Sequence, residues 1–327
     1  MLKTQIKLTI LFLLTTFFIV PVVYGKTYVS QQEIVAGTFV KITIEPIKEN
    51  EKVLDEAFIE MKRIEKIFSI YDKDSEISQL NRLKKLKVSD DTIYLLKKSF
   101  YISSITNGAF DITCKPLIKI YKKAEKRNSA PTKNEIEETL KSVGWEKIVL
   151  KGNVVEMPKN FEIDLGGIAK GYMVDKVVEF LKKEGVKNGM VNAGGDIFAF
   201  GKNLKGKDWQ IGIQHPLRKR YILRRVGIKN SAIATSGTYE RFYSIKGKKY
   251  GHIINPLTGK TVQGFPLSVT VVASDCATAD GFATAFFVLG AKKSLQTIQK
   301  VNNIGAFIID GNRKIYESNN FSKLSFP

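Results

Sequence analysis

The stretch from Phe161 to Gly201, FEIDLGGIAKGYMVDKVVEFLKKEGVKNGMVNAGGDIFAFG, constrains the fold more than any other part of the chain. Phe161 to Leu165 alternates apolar and polar residues and predicts a strand, and Gly166 and Gly167 predict a turn. Ile168 to Lys183 then repeats apolar residues at helical spacing, with Gly185 as the stop. The segment GMVNAGGDIFAFG predicts a second strand, broken at Gly194 and Gly195, where backbone has to come close to something. Strand, helix and strand in succession point to a mixed α and β architecture.

The same patterns recur on both sides of this stretch. Glu33 to Pro46 alternates as a strand, and Asn50 to Phe68 follows with helical spacing. Ile67 to Asn81 is a polar connection with a capping signature at Asp74 and Ser75, and a helix is expected from Asp91 to Ile105, ending in the turn TNGAFD. Lys122 to Lys133 is a charged linker, WEKIVLKGNVVEMP a hairpin, Trp209 to Tyr250 mostly strand, and Ala279 to Leu289 an apolar helix. The expected class is α+β. The order of segments does not divide the chain into sequential domains, so residues 26–327 are expected to form one domain.

The first 25 residues differ in character. Lys3 and Lys7 precede an apolar run from Leu8 to Val20, then Pro21 and the small Gly25. This is the layout of a secretory signal peptide cleaved near Gly25. An uncleaved anchor is the alternative, although the run is shorter than the ~20 residues that span a bilayer comfortably.

The formal net charge of +20 brings nucleic acid to mind as a partner. Export argues against it, and the lysines are scattered through nearly every segment instead of forming one stripe among aromatics, so most of them read as solvated faces. An anionic ligand or a membrane surface remains compatible with the charge. Cys114 and Cys276 are the two cysteines, and spacing alone leaves their pairing open.

Three places could carry chemistry. At Gly166 and Gly167 backbone can approach a ligand closely, and Lys170 falls in the first turn of the following helix, where a cation is unfavourable unless something negative compensates it. A phosphate cradle and a tight turn beside a solvated lysine both fit this pattern, which matches neither the dinucleotide GxGxxG nor the P-loop motif. Asp280 and Thr284 lie four apart on one face of an apolar helix. They are hard oxygen ligands of the kind Mg²⁺ takes, or else an N-cap with a threonine bonded back to its own helix. The histidines are His215, in a basic loop, and His252, before an Asn-Pro turn, so proton transfer near neutrality has few candidates.

Eight segments in order, AGTF, FSIYDKDSEISQLN, NGAFDIT, DLGGIAKGYMVD, NAGGDI, SGTYERFY, HIINPLTG and ADGFATAFFVLG, resemble the ApbE-like family of FAD:protein FMN transferases. The resemblance implies two interleaved mixed α/β subdomains with a flavin-nucleotide cleft between them. It implies Mg²⁺-dependent transfer of the FMN moiety of FAD to a Thr or Ser hydroxyl of a target flavoprotein, with AMP leaving. The metal would be held by Gly167, Asp280 and Thr284. FAD would be bound by Ala36, Tyr71, Ala109, Phe110, Asp111, Asp164, Lys170 and Ile254, with His252 as the acid/base candidate. The acceptor would be an exported or membrane-bound electron-transport subunit with an FMN-binding domain, met in the periplasm or at the outer face of the cytoplasmic membrane. A Mg²⁺-dependent FAD pyrophosphatase and a non-catalytic periplasmic FAD-binding protein are the alternatives. Asn255 stands where the family usually has Asp, and Gly281 and Phe282 replace its common Ala-Leu.

Overall fold

A computed structural model describes residues 27–218, 220–237, 242–262 and 266–321. The expected signal peptide at residues 1–25 lies outside them, as do Thr238 to Arg241 of the SGTYERFY segment. Among the described residues no helix is long and apolar enough to cross a membrane.

The chain begins with β1 (Val29–Val35), β2 (Thr38–Ile44) and α1 (Asn50–Phe68), followed by α2 (Glu76–Leu83), β3 (Lys85–Lys87) and α3 (Asp90–Ile105). Then come α4 (Lys115–Lys126), α5 (Lys133–Leu140), β4 (Val149–Lys151), β5 (Val154–Glu156) and α6 (Ala169–Lys183). Strands β6 (Gly189–Ala193), β7 (Asp196–Phe200), β8 (Trp209–Gln214), β9 (Ile222–Ile228), β10 (Ser231–Gly237), β11 (Phe242–Ile245), β12 (Lys248–Gly251) and β13 (Ser268–Ala273) follow. The chain closes with α7 (Cys276–Ile298), β14 (Ile304–Ile309) and β15 (Ile315–Glu317).

An eight-stranded antiparallel sheet, in the order β1-β2-β6-β7-β10-β13-β14-β15, takes strands from five separate stretches of chain, so that distant segments interleave. Both faces of its central strands are covered. Val269, Val271 and Ala273 of β13 pack into the core shared with α1, α3, α6 and α7, whereas Val272 faces the second core, beneath the β8–β9 hairpin. A third cluster joins Leu117, Tyr121 and Ala124 of α4 to Tyr243, Ile245 and Ile254.

Helix α1 has the expected bounds, and Gly185 ends α6 with φ +81 and a Val186 N–H to Leu181 carbonyl bond. Other expectations need correction. Phe161 to Leu165 alternates buried and half-buried residues but is not a strand. Its pairing partner is a side chain: the Asn81 amide donates to the Ile163 carbonyl (2.9 Å) and accepts the Ile163 N–H (2.7 Å). Gly194 and Gly195 form the turn between β6 and β7, not a bend within one strand, and a Cβ on Gly194 would lie 2.3 Å from Thr38 Oγ1. The supposed linker from Lys122 is helical through Lys126, because Tyr121 and Ala124 give α4 a buried stripe that its many charges mask. The final apolar helix starts at Cys276, three residues before the expected Ala279, and breaks as expected after Leu289, at Gly290 with φ +73, before a further helical stretch to Ile298. Cys114 and Cys276 are both free thiols.

Candidate active site

Helices α6 and α7 cross at Gly171. A Cβ there would lie 2.3 Å from the Cys276 carbonyl oxygen and 2.8 Å from Ala277 Cα, so glycine allows the close approach. The crossing is stitched by Asp175 of α6, which accepts the Cys276 and Ala277 backbone N–H groups (2.7 and 2.9 Å), and by the Asp275 N-cap, which accepts from Thr278 N–H. Asp280 is therefore not an N-cap. It lies in the second turn of α7, buried, with its Oδ2 accepting the Gly171 N–H at 3.2 Å.

Around Asp280 the charges do not balance. Lys170 Nζ donates to Asp196 Oδ2, and the Asp196 and Asp280 carboxyl groups lie within hydrogen-bonding reach of each other. Burial, reinforced by Asp196, pushes Asp280 up to about 7, while Lys170 opposes the shift. Burial alone would lower the Lys170 pKa, but the Asp196 and Asp280 carboxylates raise it above the ordinary lysine value. Two acidic groups against one lysine leave room for a further cation. Lys170 is thus compensated as its first-turn position demands, but by protein carboxylates.

Further oxygen donors lie close by. Thr284 is one turn beyond Asp280, its Oγ1 is 3.5 Å from Ser236 Oγ, and a Cβ on Gly167 would lie 3.3 Å from that Oγ1 and 3.3 Å from the Phe110 ring. Gly167, Asp280 and Thr284 are brought together although more than a hundred residues separate the first from the others. The set fits a hard divalent cation that keeps water or phosphate oxygens in its shell. Among the described residues no three His, Cys, Asp or Glu side chains cluster as ligands, so one carboxylate with hydroxyl and carbonyl oxygens would hold such an ion here.

Several amides of the Gly-Gly turn are already engaged. Gly166 N–H donates to Asp164 Oδ1 (2.9 Å), and Ile168 and Ala169 N–H both donate to the Leu165 carbonyl. An anion at this turn would consequently be met by Lys170 and a cation more than by helix amides.

Of the remaining candidates, Phe110 and Asp164 touch the glycine turn. Tyr71 is 81% exposed, with Lys122 Nζ 5.8 Å from its ring centre, an open aromatic face of the kind that accepts a planar ring system. Burial pushes the Tyr243 hydroxyl up to about 12, with Glu125, Asp164 and Tyr71 adding to the rise. Ala36 occupies the β1–β2 turn with φ +51 and donates its N–H to Glu65 (2.9 Å). Ala109 and Phe110 are buried. Asp111 uses both carboxylate oxygens within the fold, accepting from Thr113 N–H, Thr113 Oγ1 and Trp145 N–H, which leaves its backbone as the part able to face a ligand. A Cβ on Gly108 would be 3.2 Å from Leu257, so the NGAFD turn touches the HIINPLTG turn. His252 follows β12, and Ile254, bridged to Thr261, is buried beside it.

Asp196, Ser236 and Tyr243 are the site residues that sequence reasoning did not single out. Asp196 carried a signal: it is the lone charge in the otherwise apolar DIFAF, and a charge in a fully buried strand demands a partner.

Residues 36–308 match the ApbE family. This chain belongs to the ApbE family. It is 35% identical to the FAD:protein FMN transferase of Haemophilus influenzae over 277 residues, covering 80% of this chain and 79% of that protein. Among solved structures, the ApbE protein of Thermotoga maritima has a TM-score of 0.83 at 30% identity, over 92% of this chain and all of that one. The flavin transferase ApbE of Vibrio cholerae has a TM-score of 0.81 at 30% identity, over 91% of this chain and 99% of that one.

The departures from the usual ApbE pattern have local explanations. Asn255 Oδ1 accepts the Leu257 N–H (2.9 Å), and its carbonyl accepts from Gly259, so its task is to fold the turn. Asp performs that task equally well, and Asn255→Asp is expected to leave turnover within about twofold and the melting temperature unchanged. At Gly281 an added Cβ would lie 2.5 Å from Ile102 Cδ1, so Ile102 fills the space an alanine methyl would need.

Proposed function

We propose that this ApbE-family chain transfers the FMN moiety of FAD to a Thr or Ser hydroxyl of a flavoprotein acceptor. The observation that carries this reading is the pair of buried carboxyl groups, Asp196 and Asp280, that share one lysine close to Thr284, Ser236 and the glycine turn. Gly167, Asp280 and Thr284 would hold Mg²⁺, which when bound neutralises charge on the diphosphate.

The acceptor oxygen forms a bond to the FMN phosphorus, the bond from that phosphorus to the bridging oxygen breaks, and AMP leaves with the bridging oxygen. Lys170 faces the charge that accumulates on the leaving phosphate. Ala36, Tyr71 and Ile254 position the flavin nucleotide, together with the backbone of residues 109–111, while Asp164 holds the glycine turn in shape. His252 takes the proton of the acceptor hydroxyl. His252→Ala is expected to slow transfer by about 10²- to 10⁴-fold with little change in FAD affinity. Single-turnover rates alongside FAD titration check this, and an unchanged rate would leave His252 a structural residue.

Residues 26–327 act as one catalytic unit in this reading. The charged and apolar leader directs it to the periplasm or the outer face of the cytoplasmic membrane, where an exported or membrane-bound acceptor is met. Incubating the protein with FAD, Mg²⁺ and an acceptor domain, then following AMP release and acceptor fluorescence on a denaturing gel, tests the proposal. AMP with a fluorescent acceptor supports transfer. AMP with free FMN would mean hydrolysis, and bound FAD without AMP would mean carriage alone.

A further inference from the structure

The tip of the β8–β9 hairpin has a chemistry that flavin transfer does not use. From His215 to Arg225 the sequence reads HPLRKRYILRR, with no acidic residue. The loop is fastened by its own bonds: His215 N–H donates to the Tyr221 carbonyl (2.8 Å), Tyr221 N–H donates to the Arg218 carbonyl (3.0 Å), and His215 Nδ1 accepts the Leu217 and Arg218 N–H groups (3.0 and 3.2 Å). Arg218, Arg220 and Arg225 are exposed, and interleaved with them Leu217, Tyr221 and Ile222 are 54%, 57% and 48% exposed. Single exposed apolar residues are ordinary, but three within six positions at one tip, set among arginines, form a patch.

We propose that this tip docks on the surface of an anionic phospholipid bilayer. Guanidinium groups pair with lipid phosphates, a tyrosine ring suits the headgroup level, and Leu217 and Ile222 reach the acyl boundary. The placement agrees with this occupant. The hairpin covers the face of the sheet opposite α6 and α7, so docking leaves Lys170 and Asp280 on the other side. The inference does not rest on the transfer reading.

The test is co-sedimentation of the full chain with phosphatidylcholine vesicles with and without phosphatidylglycerol. R218Q/R220Q/R225Q is expected to lower partitioning onto the anionic vesicles on the order of 100-fold, with little effect on the neutral ones. K66Q/K292Q/K293Q removes equal charge from exposed positions on the helical side and is expected to change partitioning less than about threefold. L217S/Y221S is expected to weaken binding about tenfold. The hairpin variants are expected to keep the wild-type melting temperature, which shows that they fold. Equal losses in the hairpin and helical-side triples would overturn the proposal, because the attraction would then belong to the overall charge. So would undiminished vesicle binding by the hairpin triple, including the case in which that variant instead loses affinity for the acceptor protein.

Discussion

Asp280→Ala is expected to abolish the proposed divalent-dependent turnover, with kcat/KM falling about 10³-fold or more while the protein stays folded. The size follows from removing the single carboxylate of the proposed cation site at a diphosphate, where charge neutralisation supplies several kcal/mol of transition-state stabilisation. The fold survives because the change leaves Lys170 paired with Asp196 and removes the carboxyl group that crowds it. The Gly171 N–H loses only a long 3.2 Å bond. Initial rates across a Mg²⁺ titration, with a thermal melt of the same preparation, decide the matter. A variant that keeps its full Mg²⁺-dependent rate would remove Asp280 from the site.

Gly171→Ala unfolds the site from behind. The added Cβ would meet the Cys276 carbonyl oxygen, its carbon and Ala277 Cα at 2.3, 2.6 and 2.8 Å, and all three are backbone atoms that no rotamer change can move. To make room α6 and α7 must part, loosening the Asp175 bonds to Cys276 and Ala277 and the Gly171 bond to Asp280. The cost is about 3 kcal/mol or more, equivalent to a fall in melting temperature of roughly 6 °C. Gly185→Ala is the matched comparison. Its Cβ would meet nothing within 4 Å and its cost of about 1 kcal/mol is backbone strain at φ +81 alone. Equal melting temperatures for the two variants would mean that the helix crossing accommodates a methyl group, contrary to its geometry.

These two expectations mark how far the sequence reached. Asp280 and Thr284 were recognisable as a pair because helical spacing puts residues four apart on one face. Gly167 entered through resemblance, and its contact with Thr284 was invisible to spacing, since it depends on how α6 and α7 cross. Asp196 was quoted within a motif but given no role, for its importance lies in sharing one lysine with Asp280. Strand β14 is not legible from spacing because it is apolar on both faces, and a strand buried on two sides loses the alternation that identifies it. Phe161 to Leu165 misled in the opposite direction. It has the alternation of a strand, but its backbone groups bond the Asn81 and Lys84 side chains and the Ile112 carbonyl instead of a neighbouring strand.

By itself the sequence determined what is local. The span of α1, the glycine that ends α6, the Asn255 turn and the ordered run of motifs that marks the ApbE family all follow from short-range backbone and side-chain preferences. Only the tertiary structure decided which charges face one another, which glycine is a point of closest approach, and which side of the sheet carries the basic hairpin. Those facts depend on groups far apart in the chain meeting in a low-dielectric interior, where burial and neighbouring charge, not residue identity, set how strongly each group interacts.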